Sequence, residues 1–324
     1  MADPDCGQGR AVPGALTESH RSTTPRCLNE NGFHYCDAVS GASAVSRRVT
    51  QLRTRLEAAP DLRPCQEVNA LFTELVGLCC STPPQLADSA LAQLGDEAPM
   101  TRRLCAAGET ALEQYWARRV LAAADPHAEL ARFPYLGNYR ELVRMELGAV
   151  MAAGGERPRR VAVLGSGPLP LTGIVLARDY GAEVLHVDRD PDSLWLGGKL
   201  TAALGLPAAT AHADLDDPGS EHVLRAEGIG DCDVVVLAAL VGQDAAGKRA
   251  VSARLARLLR PDTLVLARSA VRLRSLLYPR VRAEDLAGLR VELEVHPHSG
   301  VVNSVLVARP EPSRQTGIRG STVD

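Results

Sequence analysis

Apolar residues in the first half of the chain recur with the period of a helix. Val45, Val49, Leu52 and Leu56 follow one another at spacings of three and four residues, which places them on one helix face. The same period marks four later stretches: residues 68–76, 87–94, 100–124 and 139–153. The pattern predicts an all-helical bundle over residues 44–154.

A second pattern starts after Gly154 and Gly155. Residues 161–164 form a continuous apolar run, as a strand buried on both faces requires. Further strands are predicted at 183–187, 209–213, 232–240, 263–267, 290–295 and 302–308, with helices at 171–180 and 248–259. This alternation predicts an α/β fold with a doubly wound, mostly parallel sheet over residues 155–309. A short turn joins the last two strands, so the last strand is expected to be antiparallel.

Both ends of the chain lack an apolar period. Residues 1–43 are rich in Gly, Ser, Thr, Pro and Asn, and they are predicted to be a disordered extension. Residues 310–324 are predicted to be a frayed tail.

Charge and hydropathy restrict the class of partner. The 324 residues carry a formal net charge of −3, which argues against a dedicated nucleic-acid binder. The longest apolar run, residues 234–241, is far shorter than the ~20 residues of a membrane span, and the N-terminus lacks the apolar core of a signal peptide. We therefore expect a cytoplasmic protein with a small-molecule substrate and neither nucleic acid nor membrane as a partner, and a homodimer stays open.

A glycine turn and an acid mark a candidate ligand site. Gly165, Ser166, Gly167 and Pro168 directly follow the first predicted strand, and Asp188 ends the second. Glycines at this point let a ligand approach the backbone, and the acid can accept hydrogen bonds from ribose hydroxyls. Proline removes an N–H donor that a pyrophosphate would need. An adenosine ligand with an uncharged linkage, such as S-adenosylmethionine, fits better.

Further candidates follow the later strands. Asp214 comes after the third strand and could meet the adenine amino group, although a solvated loop acid is an equal alternative. Ala238, near the end of the fourth, is expected to line the same site. Arg268 and Arg274 follow the fifth, with Tyr278 nearby. Arginine at this edge can bind a substrate carboxylate through two hydrogen bonds, and a basic surface helix is the alternative.

Six segments, in this order, resemble the nicotianamine synthase family. They are VNALFTELV (68–76), FPYLGNYREL (133–142), VAVLGSGPLPLTGIVLA (161–177), DVVVLAALVG (233–242), RSAVRLRSLLYP (268–279) and HPHSGVVNSVLVAR (296–309). The resemblance implies a helical bundle on a class I methyltransferase-like domain. It also implies a reaction that consumes three S-adenosylmethionine molecules: 3-amino-3-carboxypropyl groups are transferred, methylthioadenosine leaves and an azetidine ring closes.

The resemblance also implies two catalytic residues. Glu113 matches the family acid that activates the attacking amine, and Tyr139, in the GNY triplet, matches a tyrosine near the reacting groups. An amine is mostly protonated at neutral pH, so it needs such a base. The chain departs from the family at Val271 and Arg272, where plant members have His-Gly.

Several alternatives stay open at the level of sequence. Within the family, the enzyme could make a single transfer to another amino acid for an opine metallophore, or cyclise S-adenosylmethionine to azetidine-2-carboxylate. An ordinary methyltransferase and a non-catalytic binding protein are the remaining classes. No metal is expected as a cofactor, because the eight cysteines are scattered without a C-x-x-C pair.

Overall fold

Six helices form the first part of the chain in the computed structural model, which describes residues 35–206, 208–298 and 300–312. They are α1 (Tyr35–Glu57), α2 (Gln66–Ser81), α3 (Pro84–Leu94), α4 (Glu97–Ala122), α5 (Pro126–Leu130) and α6 (Leu136–Ala152). Helix α1 starts well before residue 44, so the predicted extension over residues 1–43 is wrong at its C-terminal end. Gly41 packs against Leu86 and Ala42 is fully buried, and such small residues leave no apolar period. Residues 1–34 lie outside the described part of the chain.

The second part of the chain is a seven-stranded sheet with helices on both faces. Its strands are β1 (Arg160–Leu164), β2 (Glu183–Asp188), β3 (Ala208–His212), β4 (Val234–Leu237), β5 (Leu264–Ser269), β6 (Leu289–Val295) and β7 (Ser304–Pro310). Its helices are α7 (Leu171–Tyr180), α8 (Pro191–Ala203), α9 (Ser220–Ala226) and α10 (Ala245–Leu258). The strand order is β3-β2-β1-β4-β5-β7-β6. Strands β1 to β5 pair in parallel and β7 is antiparallel to both neighbours, which confirms the predicted fold class.

Two boundaries differ from the predicted ones. Strand β4 ends at Leu237, three residues before the predicted end, and the apolar residues that follow form a loop. Strand β7 continues to Pro310, so the predicted tail begins inside a strand. Residues 313–324 of that tail lie outside the described part of the chain.

The helices of the first part cover one face of the sheet. Val163 and Val236 point to this face and share a core with Trp116 of α4 and Val143 of α6. The alternate strand residues face a second core that includes Val251 and Leu255 of α10. Helix α4 therefore packs on the α/β layer, and the division into two domains at residue 154 stays a prediction.

A third core joins the bundle to the segment after β5. Leu273, Leu276 and Leu277, in and after the 3₁₀ turn Arg272–Leu276, are buried among helices α1 to α4. Arg102 of α4 donates a hydrogen bond from Nε to the Ser275 carbonyl at 2.7 Å. These contacts fix the chain that leads to Tyr278.

Candidate active site

A cavity of about 890 Å³ lies at the carboxyl ends of β1, β2, β4 and β5. Helix α4 contributes Glu109 and Glu113, and α6 contributes Tyr139. Ligands of open α/β sheets bind at this edge. Ten of the predicted site residues line this cavity: Glu113, Tyr139, Gly165, Ser166, Gly167, Pro168, Asp188, Asp214, Ala238 and Arg268.

The glycine turn uses its backbone donors within the protein. The Gly165 and Ser166 N–H groups both donate to the Val187 carbonyl, at 2.8 and 3.1 Å. The Gly167 N–H donates to Asp188 Oδ2 at 2.8 Å, and Pro168 has no N–H to offer. The turn therefore cannot cradle a phosphate with these donors, which agrees with the case against a pyrophosphate.

Asp188 is fixed at the end of β2 by two backbone donors. Oδ2 accepts from Gly167, and Oδ1 accepts from the Asp190 N–H at 3.0 Å. Each carboxylate oxygen has a second acceptor position, so Asp188 can still accept from a ribose. Asp214 lies farther along the same edge, where its Oδ1 accepts from the Asp216 N–H at 3.0 Å. The predicted placement of both acids is confirmed, and their ligands stay a prediction.

Glu113 lies directly against the glycine turn. A Cβ built on Gly167 would come within 2.7 Å of Glu113 Oε2, so the missing side chain makes room for the carboxylate. Glu113 has some exposed surface, which borders the cavity. Burial raises the pKa of Glu113 well above its usual range, the charges of Glu109 and Asp188 add to the rise, and Arg268 opposes it. Glu113 therefore lies at the glycine turn, and its role as a base stays a prediction.

Glu109 is a second acid of the cavity that the sequence did not single out. It stands one helical turn before Glu113 on α4, and its Oε1 accepts a hydrogen bond from the Tyr278 hydroxyl at 2.6 Å. Burial raises the pKa of Glu109, and the bond from Tyr278 opposes that rise. The spacing of four residues between the two acids was the available signal.

Two tyrosines complete this group of titratable side chains. Burial raises the pKa values of Tyr139 and Tyr278 well above 10, and the nearby acids add to the effect. Both hydroxyls therefore keep their protons at neutral pH. They can donate hydrogen bonds to a substrate or to a carboxylate.

Two donors of Arg268, Nε and Nη2, are not available to a substrate carboxylate, so the predicted role of Arg268 is wrong for these two donors. They bind Glu146 of α6, at 2.7 and 3.0 Å, and Nη2 also donates to Thr172 Oγ1 at 2.8 Å. Burial works against the charge, but Glu146 offsets it and the pKa of Arg268 is raised. Sequence could not supply this partner, because Glu146 lies 122 positions away.

Arg274 is not brought to the cavity. Its Nη1 donates to the Pro297 carbonyl at 3.2 Å, and the residue is absent from the cavity lining. The reason is the 3₁₀ turn after β5, which directs Leu273 and Leu276 into the bundle core and carries Arg274 between them. Its prediction as a ligand of a substrate carboxylate is corrected accordingly.

A buried lysine supports the loop after β4. Lys248 Nζ donates to the carbonyls of Ala239, at 3.4 Å, and of Val241. Only 2% of the residue is exposed, and burial lowers the pKa of Lys248 to about 8. Both carbonyls belong to residues that line the cavity, so this lysine fixes one of its walls.

Two polar atoms of the cavity lining are buried without a hydrogen-bond partner. They are Ser166 Oγ and Asn303 Nδ2, in residues that are 8% and 7% exposed. A buried polar group without a partner is costly. Both atoms are candidates for contact with a bound ligand.

The sheet order, the glycine turn and the acid after β2 define a class I methyltransferase-like α/β fold with a ligand site at the carboxyl ends of its strands. The profile of the family described as "Nicotianamine synthase protein" matches residues 37–315. The chain belongs to the nicotianamine synthase family.

Individual relatives agree with this assignment. Nicotianamine synthase 2 of Oryza sativa subsp. japonica is 36% identical over 295 residues, which cover 86% of each chain. Nicotianamine synthase of Solanum lycopersicum is 32% identical over 273 residues, covering 84% of this chain and 85% of its own.

Solved structures share the fold. MtNAS in complex with MTA and tNA superposes with a TM-score of 0.68 at 24% identity, and the match covers 86% of this chain and 99% of the solved chain. A second structure, a point mutant of MtNAS in complex with S-adenosylmethionine, also has a TM-score of 0.68 at 24% identity. That match covers 82% of this chain and 98% of the solved chain. Both likenesses confirm the architecture.

Two features are absent from the described part of the chain. Over residues 35–206, 208–298 and 300–312, no helix combines the length and apolar character needed to cross a bilayer. In the same part of the chain, no three His, Cys, Asp or Glu residues are grouped so as to hold a metal ion.

Proposed function

We propose that this protein is a 3-amino-3-carboxypropyl transferase that condenses S-adenosylmethionine molecules into nicotianamine and releases methylthioadenosine. The observation that carries the proposal is the Glu113 carboxylate against the Gly167 turn, inside a cavity that Asp188 also lines. Relatives named nicotianamine synthase and the MtNAS complexes with S-adenosylmethionine and with MTA and tNA support it.

In each transfer, an amine nitrogen attacks the arm carbon next to the sulfonium sulfur. The new C–N bond forms as the C–S bond breaks, and its electron pair goes to sulfur, which leaves as neutral methylthioadenosine. The nitrogen loses a proton to Glu113. Of three electrophilic carbons on a sulfonium, positioning decides which one reacts, and Asp188 would hold the ribose for that purpose.

The charge of the substrate suits the raised pKa of Glu113. A bound sulfonium cation favours the ionised carboxylate, so Glu113 would become a base when S-adenosylmethionine arrives. The transfer removes the positive charge from sulfur, and the carboxylate then regains its affinity for a proton. Glu109, bonded to Tyr278, would remain as a second acceptor, and Tyr139 would seat the amino-acid arm.

The test is incubation of the purified protein with S-adenosylmethionine alone. We expect methylthioadenosine and a product built from aminocarboxypropyl groups, identified by mass spectrometry. Release of S-adenosylhomocysteine would instead indicate a methyltransferase, and binding without turnover would indicate a non-catalytic protein.

The two family alternatives differ in acceptor and in product. Repeating the incubation with added histidine separates a single transfer to an amino acid from nicotianamine formation, and azetidine-2-carboxylate has its own mass. Arg272, at the departure from the family pattern, pairs with Asp88 at 3.5 Å and is absent from the cavity lining. The departure at Arg272 therefore does not alter the described cavity lining, and the products of the incubations decide among the three reactions.

Location and assembly belong to the proposal as well. We place the enzyme in the cytoplasm, and a homodimer stays open. Light scattering coupled to gel filtration measures the assembly directly, and a monomer mass would contradict the dimer.

A further inference from the structure

We propose that Asn303 binds the α-carboxylate of the acceptor, the amino acid whose amine makes the attack. The inference rests on the proposed function and adds a substrate ligand to the same cavity. Its ligand class is an α-amino acid carboxylate, bound through the side-chain amide of Asn303.

The first argument is the unsatisfied donor. Asn303 is 7% exposed and lines the cavity, yet its Nδ2 has no hydrogen-bond partner. A buried donor without a partner costs free energy, so its persistence calls for an acceptor that is absent from the protein itself. A carboxylate oxygen is such an acceptor, and a hydrogen bond to a charged group is stronger than a neutral one.

The second argument is the position of Asn303 relative to the adenosine. Asn303 directly precedes β7, and Ser304 pairs with Ser269 of β5. Strand β7 lies four strand positions from β2, which carries Asp188, on the order of 19 Å at the usual strand spacing. In a displacement, the nucleophile approaches from the side opposite the leaving group, because the reacting orbitals must be aligned. With methylthioadenosine held at Asp188, the acceptor lies toward Asn303.

The third argument is the shortage of available cations. The arginines among the described lining residues are Arg189 and Arg268. Arg268 directs Nε and Nη2 to Glu146, and Arg189 is largely exposed and 3.9 Å from Asp216. A carboxylate at the β7 end therefore depends on neutral donors, of which the Asn303 amide is one. The other unpartnered atom of the described lining, Ser166 Oγ, belongs to the glycine turn. It therefore lies on the side of the S-adenosylmethionine that donates the aminocarboxypropyl group.

Two substitutions test the amide. Asn303→Leu removes the polar group at similar size, and Asn303→Asp replaces the donor with an acceptor. Calorimetry measures the affinity of each variant for nicotianamine, which carries carboxylates but no adenosine, and for methylthioadenosine, which carries adenosine but no carboxylate. Methylthioadenosine release from S-adenosylmethionine gives the turnover.

For Asn303→Leu we expect about a 10- to 100-fold weaker affinity for nicotianamine and a similar loss of turnover. Asn303→Asp should lose at least as much. The affinity for methylthioadenosine should stay within about twofold, as expected for an adenosine held at the far end. The Tm of unliganded Asn303→Leu should stay level or rise, because an apolar group replaces an unsatisfied donor.

The matched control is Ser304→Ala, at the next position. Ser304 is fully buried and its Oγ bonds His296 Nδ1 at 2.9 Å, but it is absent from the cavity lining. This change should lower the Tm and leave both affinities unaltered. A purely structural Asn303 would behave like this control, with a lower Tm and wild-type affinities, and that result would overturn the inference.

Failure of the proposed function would be visible in the wild-type protein, as absent methylthioadenosine release. S-adenosylmethionine, which carries an α-carboxylate, then replaces nicotianamine as the probe. A loss of affinity for S-adenosylmethionine but not for methylthioadenosine in Asn303→Leu would still support a carboxylate ligand. Equal affinities in wild type and variant would contradict it.

Discussion

Glu146 of α6 and Arg268 of β5 form a buried ion pair, with 2.7 Å between Arg268 Nε and Glu146 Oε1. The pair joins the helices of the first part of the chain to the sheet, at the wall of the cavity. Both side chains are almost fully buried, so each charge depends on the other.

Removing one partner of this pair should strongly destabilise the protein. Glu146→Leu leaves the Arg268 guanidinium buried and unpaired, and we expect a loss of about 3–5 kcal/mol in the free energy of unfolding. Urea denaturation measures the change. The exposed pair of Arg48 and Glu74 supplies the control, because Glu74→Gln should leave the unfolding curve nearly unchanged. A small effect of Glu146→Leu would show that the pair contributes little.

Glu113→Gln should lower turnover while retaining the shape of the cavity. General base catalysis is usually worth about 10²–10⁴-fold, so methylthioadenosine release should fall by that factor. The affinity for methylthioadenosine should barely change. Because the pKa of Glu113 is raised, turnover of the wild type should increase as the pH rises and ionises this carboxyl group. The variant should lose that increase.

The control for this prediction is Glu141→Gln, an exposed acid on α6. It should keep both the rate and the pH profile. Near-full activity of Glu113→Gln would remove Glu113 from the mechanism but not the chain from its family.

Stability should fall in acid because of His186, which is buried on β2 beneath Gly173. Burial lowers the pKa of His186 from 6.5 to about 4. Between these values the unfolded chain binds a proton that the folded chain does not, so the contribution of His186 to stability decreases as the pH falls from about 6.5 to 4 and is constant above. The loss is about 3 kcal/mol for this shift.

Thermal or urea unfolding at several pH values measures this slope. His186→Leu should reduce it, whereas replacing the exposed His127 with Gln should preserve it. An unchanged slope in His186→Leu would assign the acid sensitivity to other groups.

Lys248→Met should loosen the loop after β4 and weaken nucleoside binding. The change leaves the carbonyls of Ala239 and Val241 without their donor, at about 1–3 kcal/mol for an unsatisfied buried group. We expect a lower Tm and roughly tenfold weaker methylthioadenosine binding, measured by calorimetry. Lys199→Met, at an exposed lysine of α8, is the control and should affect neither. Unchanged binding in Lys248→Met would mean that the loop keeps its shape without the lysine.

Strong periodicity made most of the fold predictable from sequence. The apolar runs predicted the sheet, and the short turn between the last two predicted strands predicted that the last strand is antiparallel. Helix α8 was missed although Asp190 caps it and Pro191 begins it, because Gly197 packs closely on the Gly167 carbonyl and interrupts the apolar period. The loop after β4 was read as strand because its apolar residues line a cavity instead of a core.

The candidate site was predictable where a residue follows a strand. Asp188 and the Gly165–Pro168 turn fall at strand ends, so topology alone brings them together. Arg268 is also at a strand end, but its partner Glu146 comes from a distant helix. Asn303 required the three-dimensional structure, because a sequence does not show which amide lacks a partner. For Glu109 the four-residue spacing from Glu113 was a signal, but its bond to Tyr278 was visible only in the structure.

Gly167 is subject to two independent restrictions. Its φ of 68° lies in the left-handed region, where a side chain is disfavoured, and Glu113 Oε2 occupies the space of its missing Cβ. A single added methyl group would therefore displace the carboxylate without altering its chemistry. During evolution, a substitution at residue 167 would therefore need both a relaxed turn and a new position for the Glu113 side chain, so the turn and the acid of α4 would change together.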